Sequence, residues 1–206
     1  MPVPDGLALT YAAGLPEVFA TAWLNLFMEG GVQPGEKVVL HAGASGVGTA
    51  AIQICRANGV ETFVTVGSDR KLNACIQLGA SGGVNRKKKP ILDAVVDFWS
   101  DGVDLVLDPV GASYLADNIK MLAFDGRLVL IGLMGGARAQ LDLASLMMKR
   151  IRVIGSTLRA RPLQEKGTIM QQLEERVWPH LKSGEISVIL ESVLPITEAK
   201  RAHDLI

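Results

Sequence analysis

The chain lacks several features that would each have fixed its class. It has only two cysteines, Cys55 and Cys75, and neither belongs to a C-x-x-C pair, which excludes a zinc ribbon or a disulfide-stapled scaffold. There is no charge surplus: 21 Lys and Arg balance 21 Asp and Glu, so the overall charge does not favour a nucleic-acid backbone or an anionic membrane. No apolar run reaches the roughly 18 residues of a membrane span. The start, Met1-Pro2-Val3-Pro4-Asp5, lacks the basic residues and apolar core of a secretory signal. These absences predict a cytoplasmic protein in a reducing compartment, with no membrane or nucleic-acid partner.

Hydrophobic residues make up 49% of the 206, enough to bury a large core without staples, while aromatics are only 5%. Glycine, at 22 residues, exceeds the usual share of about 7%. From Lys37 onward short Val/Ile/Leu runs alternate with longer stretches of helical period, the pattern of repeated βαβ units. Strands are predicted at 37–41, 61–66, 83–85, 105–108, 127–131 and 152–156. Helices are predicted at 47–58, where Val47, Ala50, Ala51, Ile54 and Cys55 share one face, and at 69–78, closed by Gly79. The fold class is therefore α/β, a Rossmann-type doubly wound parallel sheet of six strands flanked by helices, with strand order 3-2-1-4-5-6. Residues 1–36 read as a helical lead-in with an apolar helix over 18–28, and 37–160 as the nucleotide-binding core. Residues 161–206 read as a helical tail, with a helix over 163–181, a strand near 188–194 and a last helix from Thr197 to Ile206.

The stretch His41-Ala42-Gly43-Ala44-Ser45-Gly46-Val47-Gly48 joins the first strand to its helix. Strand, glycine loop and helix together make a dinucleotide site. Gly43 is expected to permit the tight turn, Gly46 to let the backbone approach a pyrophosphate and Gly48 to let the helix pack closely. The phosphates would sit at the helix N-terminus. Ser45 holds the second glycine position of the strict G-x-G-x-x-G pattern, so the loop alone is a loose match. Other readings fail on spacing: Thr49-Ala50 replaces the Lys and Ser/Thr of a P-loop, Val47 replaces the last glycine of a nucleophile elbow, and no Tyr-x-x-x-Lys is present.

Cofactor choice is read from the end of the second strand. NAD sites place an acid on the ribose about 20 residues beyond the loop. Here the chain runs Val66-Gly67-Ser68-Asp69-Arg70-Lys71. Gly67 offers a 2′-phosphate no repulsion, and Ser68, Arg70 and Lys71 can donate to it, so NADPH is expected. Asp69 as an NAD-type acid, or Ser68 and Asp69 as helix caps, are the alternatives. The only charge run, Arg86-Lys87-Lys88-Lys89, is either a solvated turn or an anion site. Asp108-Pro109-Val110-Gly111 and Gly132-Leu133-Met134-Gly135-Gly136 follow the fourth and fifth strands, where doubly wound sheets bind ligands, or are ordinary turns.

The residues now resemble the quinone oxidoreductases related to zeta-crystallin, in the zinc-free branch of the medium-chain dehydrogenase/reductase superfamily. The matching pieces are Pro16-Glu17-Val18 with Thr21-Ala22, the 41–48 loop continuing as Thr49-Ala50-Ala51-Ile52-Gln53, Gly67-Ser68 with Lys71-Leu72, Leu78-Gly79-Ala80, Asp125-Gly126-Arg127, and the 132–136 loop. The resemblance implies a reductase passing hydride from NADPH to a quinone or similar activated carbonyl. It implies pyrophosphate contacts from Ser45, Gly46 and Val47, and 2′-phosphate contacts from Ser68 and Lys71. Backbone contacts beside the nicotinamide would come from Leu133 and Met134, with Thr21 nearby. Relatives often carry Tyr where Arg86 stands, so Arg86 either pairs with the phosphate or points outward. Zinc-binding members place a Cys where Glu17 stands, so no metal is expected. The family's GroES-like catalytic domain is expected to be absent, because the first strand begins near residue 37, and no catalytic side chain is assigned. The resemblance also implies a homodimer through the edge strand 152–156, whose open side needs covering.

Three functional classes follow. The chain is the cofactor half of an NADPH:quinone oxidoreductase, with an enoyl or alkenal reductase as the enzymatic alternative. A second class is an NADPH-binding module without turnover. A third is a structural or RNA-binding role, which the charge balance disfavours.

Overall fold

The structure, a computed structural model, describes residues 2–205. Two short helices lead in: α1 (Leu9–Ala12) and α2 (Pro16–Trp23), the latter opened by Pro16, whose missing N–H costs nothing in a first turn. The helix start that Leu15-Pro16-Glu17 predicts falls at Pro16, and the apolar stretch expected over 18–28 widens into a π-helical segment at Leu24–Glu29. Asn25 Nδ2 donates to the Thr21 carbonyl at 2.7 Å there, and the Gly30 amide bonds the Asn25 carbonyl five residues back.

The alternating core follows: β1 (Lys37–Leu40), α3 (Gly46–Ala57), β2 (Glu61–Val66), α4 (Asp69–Leu78), β3 (Gly82–Asn85), α5 (Ile91–Phe98), β4 (Val103–Asp108), α6 (Leu115–Met121), β5 (Leu122–Leu130), α7 (Leu143–Met148) and β6 (Arg152–Gly155). The six strands form one parallel sheet in the order β3-β2-β1-β4-β5-β6, as the crossover rule predicts. β6 is an edge, bonded on one side to β5. Strand residues alternate between two cores. Leu40, Val64, Leu105 and Val129 pack with α2, α3 and the tail. Val39, Phe63, Val106 and Leu128 pack with α5 and α6. Both faces are covered, which is why the strands read as continuous apolar runs.

The tail differs from expectation in two places. The single helix expected over 163–181 is two, α8 (Leu163–Arg176) and α9 (Trp178–Lys182). Pro179 has no N–H to continue the ladder, and the break falls just before it at Val177. The strand expected near 188–194 does not form. Just before it the Ser187 amide donates to Gln53 Oε1 at 2.9 Å, and Val188 is buried against the core. A 3-10 turn, Ile196–Glu198, then leads into α10 (Ala199–Asp204). Ile206, where the last helix was expected to end, lies outside the described residues. Leu15, Phe19, Ile52, Ile169 and Leu173 share one core, so lead-in, sheet and tail pack together.

One buried ion pair ties the lead-in to the sheet. Arg127 on β5 donates from Nε to the Gly30 carbonyl at 2.9 Å and from both terminal nitrogens to the Glu36 carboxylate. Burial alone would raise the Glu36 pKa, but the hydrogen bonds from Arg127 and the Gln33 amide win, and it lies below the ordinary carboxylate value. The pair's contribution is therefore present at neutral pH and lost as pH falls through that lowered pKa. Glu36→Ala, which strands a buried guanidinium, is expected to cost about 3 kcal/mol in urea unfolding. A loss within about 0.5 kcal/mol, the range of ordinary surface substitutions, would remove the pair from the account.

Candidate functional site

The loop after β1 sets the geometry. The left-handed residue that turns the chain is Ala42, at φ 54°, and not Gly43 as expected. Gly43 is needed for a different reason: a Cβ there would lie 2.6 Å from Val64 Cβ on β2. Gly48 also differs from expectation. Its Cβ would meet the loop's own carbonyls, Ala42 O at 2.6 Å among them, rather than the sheet. The loop therefore folds back over the first turn of α3, and Ser45 caps that helix, accepting from the Gly48 amide at 3.1 Å. The Gly46 and Val47 amides, which a first helical turn leaves without intrahelical acceptors, have no partner among the described residues. Gly46 rests against Val18 of α2. Two free N–H groups and a helix dipole thus lie at the end of β1, beside the crevice between β1 and β4, where the strand order reverses.

That crevice holds a cleft of about 490 Å³. Ser45, Gly67, Lys71, Arg86 and Met134 line it, together with Tyr114. An apolar recess of about 200 Å³ adjoins it, sharing Ala42, Ser45 and Met134 and walled by Val47, Leu107 and Ile131. Long cleft and apolar recess suit a dinucleotide with one flat ring at its end. Thr21 does not line either one: it is buried on α2, its hydroxyl donating to Glu17 at 3.1 Å. Ser68 Oγ accepts the Lys71 amide at 3.3 Å, so it caps α4 and does not line the cleft.

The charges at the mouth are distributed unevenly. Lys71 and Arg86 make no ion pair among the described residues, and Arg86 lies across Gly67. Asp69 is engaged: its carboxylate accepts Asn85 Nδ2 at 2.9 Å and pairs with Lys88. The basic run thus divides, with Arg86 in the cleft and Lys88 and Lys89 paired to Asp69 and Asp97.

The loops after β4 and β5 are bonded to one another. Gly135 N donates to Val110 O at 2.6 Å, Met134 N to Pro109 O at 3.3 Å and Ala112 N to Gly136 O at 3.0 Å. The Leu133 amide and the Met134 carbonyl remain without partners among the described residues, with both side chains exposed. Beneath this wall lies a network that the sequence did not announce. Asp108 accepts the Val110 and Gly111 amides and Asn118 Nδ2, the last at 2.9 Å. Asn118 Oδ1 faces His41 Nε2 at 2.8 Å, and His41 Nδ1 faces the Thr65 hydroxyl at 3.1 Å. Because Asn118 turns its amide nitrogen to Asp108, its oxygen accepts from His41 Nε2–H, and the ring is neutral with Nδ1 accepting. Burial lowers the His41 pKa against the opposing pull of Asn118 and Asp108. His41 is a buttress under Tyr114, whose ring meets it edge-on at 4.8 Å.

A family profile described as zinc-binding dehydrogenase matches residues 46–175. The chain belongs to the zinc-binding dehydrogenase family. It is the cofactor-binding domain of the medium-chain dehydrogenase/reductase superfamily, as the resemblance implied. It is similar to a quinone oxidoreductase of Rattus norvegicus, 28% identical over 204 residues that cover 98% of this chain and 60% of the rat protein. It is similar to the quinone oxidoreductase of Thermus thermophilus, solved with NADPH, at 31% identity and a TM-score of 0.86 over 100% of this chain and 64% of that one. It also superposes on the CurK enoyl reductase, at 28% identity and a TM-score of 0.82, covering 100% of this chain and 61% of that one. The chain thus spans about 60% of the length of the curated relative.

The dehydrogenase family's name raises the question of a metal. Among the described residues no group of three His, Cys, Asp or Glu could hold one. Cys55 and Cys75 are both buried, and burial raises both thiols, Cys75 to about 11, away from the thiolate that binds metal. These side chains do not fit a zinc ion. For the dinucleotide, Gly48→Ala is expected to cost roughly 2 kcal/mol of stability by overpacking the turn. It should also weaken nicotinamide dinucleotide binding about tenfold or more, read by calorimetry. Unchanged affinity would mean that the α3 N-terminus does not hold the ligand.

Proposed function

We propose that this chain binds NADPH and serves as the cofactor half of an oxidoreductase acting on a quinone. The observation that carries the reading is the pair of unpaired cations, Lys71 and Arg86, flanking Gly67 at the end of β2, with Asp69 held elsewhere. A doubly charged 2′-phosphate fits two donors with no facing acid, and the hydroxyl of an NADH ribose gains little from them. When bound, the cofactor supplies hydride from C4 of its nicotinamide ring.

This chain's own residues bind and orient. The Gly46 and Val47 amides take the pyrophosphate, and Lys71 and Arg86 the 2′-phosphate. The apolar recess beside Met134 takes the nicotinamide, where Val47, Leu107 and Ile131 keep water from one face. The Leu133 amide is free to donate to the carboxamide. His41 takes no part in proton transfer on this reading, since it is buried with both ring nitrogens bonded. Catalysis on this reading rests on positioning.

Two alternatives stay in view. An enoyl or alkenal reductase is supported by the likeness to the CurK enoyl reductase. A module that holds NADPH without turnover is the other. The test titrates the chain with NADPH and NADH by fluorescence, then repeats it on Lys71→Ala. NADPH should bind more tightly, and the substitution should weaken it about tenfold while leaving NADH within twofold, a discount from a buried charged bond because Lys71 is exposed. Equal binding of both cofactors would overturn the NADPH assignment. Quinone and enone acceptors then separate the enzymatic readings, and no NADPH oxidation with either favours the module.

A further inference from the structure

We infer that Lys88 sets cofactor preference without touching the cofactor, by holding Asp69 away from the ribose. The inference rests on the NADPH reading above and concerns a residue outside the cleft.

The geometry starts from the sheet. β3 pairs with β2 so that Asn85 lies beside Val66, and the Arg86 amide bonds the Val66 carbonyl at 3.0 Å. The loop leaving β3 is therefore pinned against the turn leaving β2. Asp69, two residues beyond Gly67, carries the only carboxylate in that turn. A carboxylate there with free oxygens would accept the ribose hydroxyls of NADH and repel a 2′-phosphate. In the structure each oxygen already has a partner. Asn85 Nδ2 holds Oδ1 at 2.9 Å and Lys88 Nζ holds Oδ2. The Lys88 and Asn85 hydrogen bonds also hold the Asp69 pKa below the ordinary value, so the group stays ionised and paired.

The run Arg86 to Lys89 thereby acts at two places. Arg86 adds a positive charge to the cleft, and Lys88, two residues on, pairs with the acid of the turn beside it. Lys71 needs no partner from within the protein and is left for the ligand. Lys88 is thus a positioning residue acting through Asp69. The pair is solvent-exposed, with side-chain exposures of 66% and 53%, so the effect is a modest shift in preference and not a switch.

The test is a double-mutant cycle on the whole chain, with Kd for NADPH and for NADH measured on wild type, Lys88→Ala, Asp69→Asn and the double variant. Lys88→Arg serves as the conservative control. Lys88→Ala should lower the NADPH-over-NADH preference about threefold to fivefold, with weaker NADPH and tighter NADH binding. Asp69→Asn should restore the preference in that background and change it less than twofold in wild type. Lys88→Arg should keep it. A loss in Lys88→Ala that Asp69→Asn leaves unrestored would show that Lys88 only adds to the local field, and would overturn the inference. So would no change in preference at all. The NADPH reading fails separately, by equal wild-type affinities. Even then a gain in NADH affinity on Lys88→Ala that Asp69→Asn abolishes would uphold the role of Lys88, and its absence would refute it.

Discussion

The turn between β1 and α3 is held by close backbone approach, and the rest of the site is arranged around it. Ala42 takes a left-handed conformation, Gly43 lies flat on Val64, and Gly48 tucks under the loop's own carbonyls. A side chain at Gly43 would strike the branched Val64 side chain on β2, and one at Gly48 would strike the loop's own backbone. The consequence is local: the amides of Gly46 and Val47 stay unpaired at the α3 N-terminus beside the β1/β4 crevice, and α3 buries Ile52, Ile54 and Cys55 further along. Anion affinity at the helix end follows from the dipole and these unpaired donors, with no cationic side chain needed at the pyrophosphate.

Two other parts of the molecule hold the crevice open. On one side the Asp108–Asn118–His41–Thr65 chain fixes the β4 loop, whose Pro109 and Val110 carbonyls then accept from the Met134 and Gly135 amides of the β5 loop and shape the apolar recess. On the other the β2 and β3 ends are bonded together, and the local charge becomes asymmetric. A chain with equal numbers of acids and bases thus presents an unpaired Lys71 and Arg86 at one mouth. Net charge spoke against a nucleic-acid role, but it gave no information on this local imbalance.

Much of this was legible in sequence because it is local. Strand runs, the glycine loop, the Gly79 cap, and hence the sheet order follow from spacing and crossover rules, while spacing leaves Ser68 as a cap only among alternatives and does not single out the Ser45 cap. What escaped depends on contacts between distant residues. Nothing local marks Ala42 as the left-handed position, since glycine next door is the usual choice and is here required by Val64 instead. His41 and Asn118 are 77 residues apart, so their bond has no sequence signal. The segment near 188–194 has the composition of a strand, but the residue before it, Ser187, is tied to Gln53 on α3 and not to a sheet edge. The widening at Leu24–Glu29 likewise answers to packing, where a Cβ on Gly30 would strike Leu105.

The central claim is that the α3 N-terminus and the two cations at the end of β2 divide the cofactor between them. Amide and side-chain NMR of the 15N-labelled chain tests it directly. NADPH and NADH should both shift the Gly46 and Val47 amide resonances downfield, as N–H groups do when they acquire an anionic acceptor. Only NADPH should shift Lys71 Nζ and Arg86 Nε. Unmoved Gly46 and Val47 resonances at saturation, or equal side-chain shifts with NADH, would contradict the account.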